Sequence, residues 1–163
     1  MVKYISKHKY FFIAAILVLT AVFSASRFDR SPNVLPNQDV PKPYVQIDGI
    51  KIPVEIATST TAIRKGLSGR VSLDADRGMI FVFSKPDKYR FWMPDMHFPI
   101  DIIWTNNGKI VGITENASNE FNPANPIFYT PQKPAQYVLE VNAGFAEKNN
   151  INIGDKIILN NIE

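Results

Sequence analysis

The sequence predicts an α+β domain, built mainly on an antiparallel, barrel-like sheet with two or three short helices and preceded by one apolar N-terminal helix. Three observations carry that expectation. Apolar-rich runs of strand length recur about every eight to twelve residues from Tyr44 onward, tight-turn residues separate several of them, and sixteen uncharged residues stand near the N-terminus. With a leader and linker set aside, about 120 of the 163 residues remain, enough for one core and too few for two.

The first element is the uncharged run YFFIAAILVLTAVFSA at residues 10–25, preceded by Lys3, Lys7 and Lys9. A basic stretch followed by an apolar one has the layout of an export signal, and the lysines orient it with the following chain outside. As a helix the run spans roughly 24 Å, short of the roughly 30 Å hydrocarbon core, so its length fits a cleaved signal or an anchor lengthened by its flanks. Residues 1–25 are therefore expected to bring the chain to the membrane. Residues 26–44 carry Pro32, Pro36, Pro41 and Pro43 and read as an extended linker. The domain proper is expected over residues 45–163.

Within it, Val45 and Ile47 lead into Asp48-Gly49, after which Ile50, Ile52, Val54 and Ile56 alternate, the signature of a hairpin. A short helix follows, capped by Thr58 or Ser59 and stopped by Gly66. Strands are expected at residues 79–83, 89–93, 98–104, 109–114, 137–142 and 156–159, with Asn106-Asn107-Gly108 turning between two of them. A second helix is expected over residues 143–148, capped by Asn142. Along residues 98–104, Phe98, Ile100, Ile102 and Trp104 share one face, which leaves Asp101 on the other with His97, Pro99 and Ile103.

Charge narrows the partners. The first thirty residues carry +4 and the rest of the chain is near −1, so the pI of 9.1 belongs to the leader. A nearly neutral domain lacks the basic face that phosphate binding needs, and no nucleic-acid partner is expected. The chain has no cysteine, which excludes disulfides, thiol catalysis and thiolate metal sites. His97 is the domain's single histidine, so no multi-histidine zinc site is expected either. No Walker A, G-x-G-x-x-G or G-x-S-x-G string occurs, and no cofactor is expected.

Four strings place the domain in a family. VEIATSTTAIRKGLSGR at 54–70, DRGMIFVF at 76–83, FWMPDMHFPIDIIW at 91–104 and YVLEVNAGFAEKNNINIGDKIIL at 137–159 resemble the DUF192 (UPF0127) family of small bacterial and archaeal domains, in family order. The resemblance implies a compact β-rich fold and no particular chemistry. One departure stands out: Pro94-Asp95-Met96 replaces the family's usual Lys-Asn-Thr-like run after the Trp-Met pair.

Three carboxylates interrupt apolar strands: Glu55, Asp101 and Glu140. Burying a carboxylate alone is costly, so each should meet solvent or a cation such as Arg64, Arg70, Arg77 or Arg90. Three readings stay open. The set can be an arginine–carboxylate network fixing strand register, a polar pocket for a small anionic or sugar ligand, or a catalytic pair formed by Asp101 and Glu140. A Ser68-His97-Asp101 triad is disfavoured, because His97 and Asp101 lie about 13 Å apart on a regular strand. Trp92 reads as core or as a ligand platform. The Pro-rich stretch 120–136, with Phe121, Phe128 and Tyr129, reads as a lid or as a cover packed over the barrel end.

The candidate ligand-binding residues are thus Trp92, Asp101, Glu140, Arg64 and Arg70, with Asp101 and Glu140 the weak catalytic candidates and no metal ligands. The functional expectation is a membrane-anchored or secreted domain on the extracytoplasmic side, acting as a binding or accessory module for envelope components. Its partners would be the membrane, through the N-terminal segment, and a small polar, glycan or protein ligand. Its rivals are a carboxylate-dependent hydrolase of envelope glycans and a structural protein-interaction module.

Overall fold

A hairpin opens the domain. Strand β1 (Tyr44–Ile47) pairs antiparallel with β2 (Ile50–Ala57) across Asp48 and Gly49, whose φ angles of 46° and 88° match the right-handed twist of the strands they join. The computed structural model describes residues 41–162, so the expected membrane helix of residues 1–25 and the linker up to residue 40 lie outside the described residues. Among the described residues no helix is long and apolar enough to cross a membrane.

After β2 the chain forms helix α1 (Thr60–Lys65), with the Ser59 hydroxyl accepting from the Ala62 N–H at 3.2 Å and Gly66 closing the C-terminus. Strand β3 (Gly78–Asp87) then runs parallel to β2, with Val54 opposite Gly78 and Ala57 opposite Phe81. This is the one parallel pair in the sheet, and the crossover it requires is supplied by residues 58–77. Strands β4 (Ile100–Asn106), β5 (Lys109–Ala117), β6 (Ala135–Asn142) and β7 (Ile157–Asn160) complete the order β5-β4-β6-β3-β2-β1-β7. The sheet curls into a half-barrel. Its two ends are drawn together where Lys109 bridges Lys156 and Ile110 N–H donates to the Asp155 carbonyl at 3.0 Å.

The central strands are apolar on both faces. Met79, Phe81, Ile100, Ile102, Trp104 and Val138 fill one core. Ile80, Ile103, Leu139 and Val141 fill the other, with the β1–β2 hairpin and Ile157. Such strands read as continuous apolar runs because neither face meets water. The expected β4 stripe of Ile100, Ile102 and Trp104 is present, and Asp101 does project from the opposite face, but that face is buried too.

Two expected elements are different. Residues 89–93 form no strand; Phe91 alone pairs, exchanging hydrogen bonds of 2.9 and 2.8 Å with Tyr129. The alternation there comes from lying across the core, with Phe91 and Met93 turned in and Trp92 turned out. Helix α2 (Phe145–Lys148) is preceded by Gly144 at φ 77°, and the expected cap Asn142 instead donates to the carbonyls of Leu73 and Asp74 at 3.0 and 3.1 Å. Asp101 takes the capping role: its Oδ2 accepts from Ala146 N–H at 2.9 Å.

Candidate functional site

A cleft of about 210 Å³ opens on the first face of the sheet, between the C-terminal half of α1 with its following turn and the segment 89–96. Phe81 and Phe83 of β3 form its back wall, Phe91 and Tyr89 a side wall, and Glu140 of β6 its floor. Glu140 stands opposite Met79 on β3 and opposite Ile102 on β4, which sets its side chain on the Phe81 face. Gly66 lets α1 end tightly over this floor: at φ 48° it takes a left-handed turn, and a Cβ there would lie 3.3 Å from the Phe81 ring and 3.9 Å from Glu140 Oε2. Two hydrogen bonds clamp the walls at one end. Ser68 Oγ donates to the Pro94 carbonyl and Gly69 N–H to the Asp95 carbonyl, each at 2.8 Å. Both acceptors are main-chain carbonyls of the Pro94-Asp95-Met96 run.

Glu140 is 6 % exposed, and among the described residues no hydrogen-bond donor reaches its carboxyl. Burial pushes its pKa up to about 8, against a smaller downward pull from the Arg70 charge. At neutral pH it is a neutral acid, able to donate one O–H and to accept at its carbonyl oxygen.

Asp101 presents the opposite case. It is fully buried and saturated by three backbone N–H groups, from Asn116 and Ala146 at 2.9 Å and from Gly144 at 3.2 Å. Because Ile102 is the residue opposite Glu140, Asp101 projects through the other side of the sheet. The two carboxylates cannot flank one substrate bond, so the geometry does not bring together the catalytic pair considered from sequence.

The remaining candidates divide. Arg70 forks onto Glu55 at 2.6 and 2.8 Å, the one ion pair of the expected register network, and its hydrogen bonds hold the Glu55 carboxyl below the usual range. Arg64 lies at the cleft mouth, exposed. Trp92 is 48 % exposed and belongs to no core; it borders the cleft and meets Phe128, stacked at 5.8 Å, and Phe121, edge-on at 5.7 Å. The Pro-rich stretch is thus tied down on Trp92 and Phe91 while leaving Ile127 and Phe128 exposed. His97 is exposed and 3.6 Å from Asp95, and the Ser68 hydroxyl is spent on Pro94, so no triad forms.

Sequence reasoning missed Phe81, Phe83, Tyr89 and Lys65, and named Arg90 only as a cation available to the strand carboxylates. The available signal was the Phe81 and Phe83 alternation beside Gly66: two aromatic rings on one strand face need a cover, and Phe83 finds it in Tyr89, stacked at 3.6 Å.

Comparison with known proteins agrees with this architecture. The family model for DUF192, described as Uncharacterized ACR, matches residues 44–159. A crystal structure of a protein of unknown function from Novosphingobium aromaticivorans is 31 % identical, with a TM-score of 0.63, covering 71 % of this chain and 83 % of that one. A crystal structure from Sinorhizobium meliloti, described as a candidate transcription regulator, is 26 % identical, with a TM-score of 0.62, covering 72 % and 91 %. No curated protein matches.

Proposed function

The chain belongs to the DUF192 family, and we propose that its domain is a binding module for a small ligand in the cleft above Glu140, held on the extracytoplasmic side of a membrane by its N-terminal segment. The observation that carries the binding role is Glu140: a buried carboxyl with no protein donor, on the floor of an open cleft walled by aromatic rings. Buried polar groups are ordinarily satisfied within the protein, and one left free beside a cavity is available to a ligand. A volume of about 210 Å³ suits a molecule smaller than the usual drug-sized occupant. The near-neutral charge of the domain speaks for such a ligand over nucleic acid.

The extracytoplasmic placement rests on Lys3, Lys7 and Lys9 ahead of the uncharged run. A C-terminal alkaline phosphatase fusion is expected to be active, and an inactive fusion with an active cytoplasmic reporter would refute that placement. For the binding role, the ¹⁵N-labelled full chain is titrated with amino sugars, sugar acids and short cell-wall peptides. Shifts gathered at residues 63–68 and 89–96 are expected. Shifts confined to other surfaces would overturn the cleft assignment.

Ile127 and Phe128, exposed beside Trp92, support a second reading in which this ledge docks a protein. Ile127→Ser with Phe128→Ser would then abolish a pull-down partner that Glu140→Gln retains.

A further inference from the structure

We infer that the cleft takes a small organic anion, its charged group held at the mouth by Arg64, Lys65 and Arg90, its body between the aromatic walls, and its inner polar end at the Glu140 carboxyl. The inference rests on the binding reading above and names its ligand class.

The mouth supplies the sign. Arg64, Lys65 and Arg90 border the cleft, and the ion pairs among the described residues, Arg70 with Glu55, Arg77 with Asp74 and His97 with Asp95, use none of them. Arg90 is held in place by lying 3.9 Å over the Phe128 ring, so its guanidinium is oriented without being neutralised. Guanidinium and ammonium groups arranged around an opening favour carboxylate or phosphate, the former through forked hydrogen bonds.

The floor supplies the polarity. A negative Glu140 would favour an amine in an aromatic box, but burial keeps the acid neutral, and the charge that acts on it is that of Arg70, while Arg64, Lys65 and Arg90 line the same cleft. From β3 and β4 it meets Met79, Phe81 and Ile102, and from α1 the Gly66 turn, none of which titrates. The inner end of the ligand therefore faces a donor. The walls supply the shape: Phe91 stands edge-on to Phe81 at 5.0 Å and Phe83 lies flat on Tyr89, leaving ring surfaces that suit a flat or apolar body.

One orientation satisfies all three, with the anion outward and the neutral acceptor inward. Raising the pH through the Glu140 transition removes the donor and sets a like charge against the acceptor, so binding should weaken there.

The test uses the full chain and four probes of similar shape: 4-hydroxybenzoate, 4-hydroxyphenyl phosphate, 4-hydroxybenzamide and 4-hydroxybenzylamine. Binding is followed by amide shifts at residues 63–68 and 89–96. At least one anion is expected to bind about tenfold tighter than the amide, the preferred one separating carboxylate from phosphate. Arg64→Ala and Arg90→Ala, both exposed, should each weaken that anion about three- to tenfold and leave the amide unchanged. Glu140→Gln should keep the anion and lose the fall in affinity at alkaline pH. Tightest binding by the amine, or anion binding indifferent to both arginine variants, would overturn the anion assignment while leaving the cleft a binding site. Failure of all four probes at these residues would overturn the assignment as well, and failure of the wider envelope-fragment titration would then remove the binding reading itself.

Discussion

Asp101 and Glu140 sit on diagonal rungs of adjacent strands, both buried, both acids, and on opposite faces of one sheet. Asp101 receives three backbone N–H groups and ties β5 and the start of α2 to β4. Glu140 receives none among the described residues and faces a cleft. Burial alone therefore says little about role. What separates a structural acid from a site is whether the protein has already answered it with donors: a satisfied carboxylate holds backbone in place, and an unanswered one keeps its hydrogen-bonding capacity for something else.

The contrast breaks first at Asp101. Asp101→Ala strips one buried and two part-buried N–H groups of their acceptor and should cost about 2–4 kcal/mol, read by chemical denaturation. A loss under about 1 kcal/mol would mean water or backbone movement replaces the carboxylate, and the two acids would no longer differ in kind.

The next effect belongs to Glu140 and has a sign. Its pKa in the folded protein, about 8, exceeds its ordinary value of 4.5, so the folded state binds the extra proton between those limits. Stability is fully present below about pH 4.5 and falls as pH rises toward 8, at up to roughly 1.4 kcal/mol per unit, or about 2 kcal/mol from pH 6 to pH 8. Glu140→Gln, a neutral mimic of the acid, should remove that slope and change stability little at pH 6. A persisting slope would assign it to another group.

Smaller effects sharpen the cleft itself. Gly66→Ala forces a left-handed φ on a residue with a Cβ and presses the Phe81 ring, for about 1–2 kcal/mol and a narrowed cleft, visible in the Phe81 ring signals. Arg70→Ala breaks an exposed fork worth about 1 kcal/mol or less. It should also raise the Glu140 pKa further, since the lost charge is the one that lowers it. A falling Glu140 pKa would show that Arg70 acts on the cleft through packing rather than charge.

The hairpin, α1 and most strands were legible because their signals are local: Asp48-Gly49 and Asn107-Gly108 fix turns, and Ser59 and Gly66 bound a helix whatever lies around them. The carboxylates were legible as anomalies, three acids in apolar strands, but not as a geometry. Asp101 and Glu140 looked like a pair because sequence shows that both interrupt apolar runs; only the register that sets Ile102 opposite Glu140 places them on different faces. Residues 89–93 misled for a related reason. Period-two burial arises wherever an extended segment crosses a core, with or without a ladder, and reading a strand there hid Tyr89 from the site. The parallel β2–β3 pair was equally out of reach, because a short helix can close a crossover or merely a loop.

The contrast between Asp101 and Glu140 comes down to one proton on Glu140. A ¹³C NMR titration of the Glu140 side-chain carboxyl in the full chain, with Glu140→Gln identifying the signal, measures it directly. A midpoint near 8 is predicted, with an ordinary carboxylate signal appearing only above it. A midpoint at about 4 to 5 would contradict the account, because an acid ionised at neutral pH must already be answered by the protein and could not serve as the neutral donor on the cleft floor.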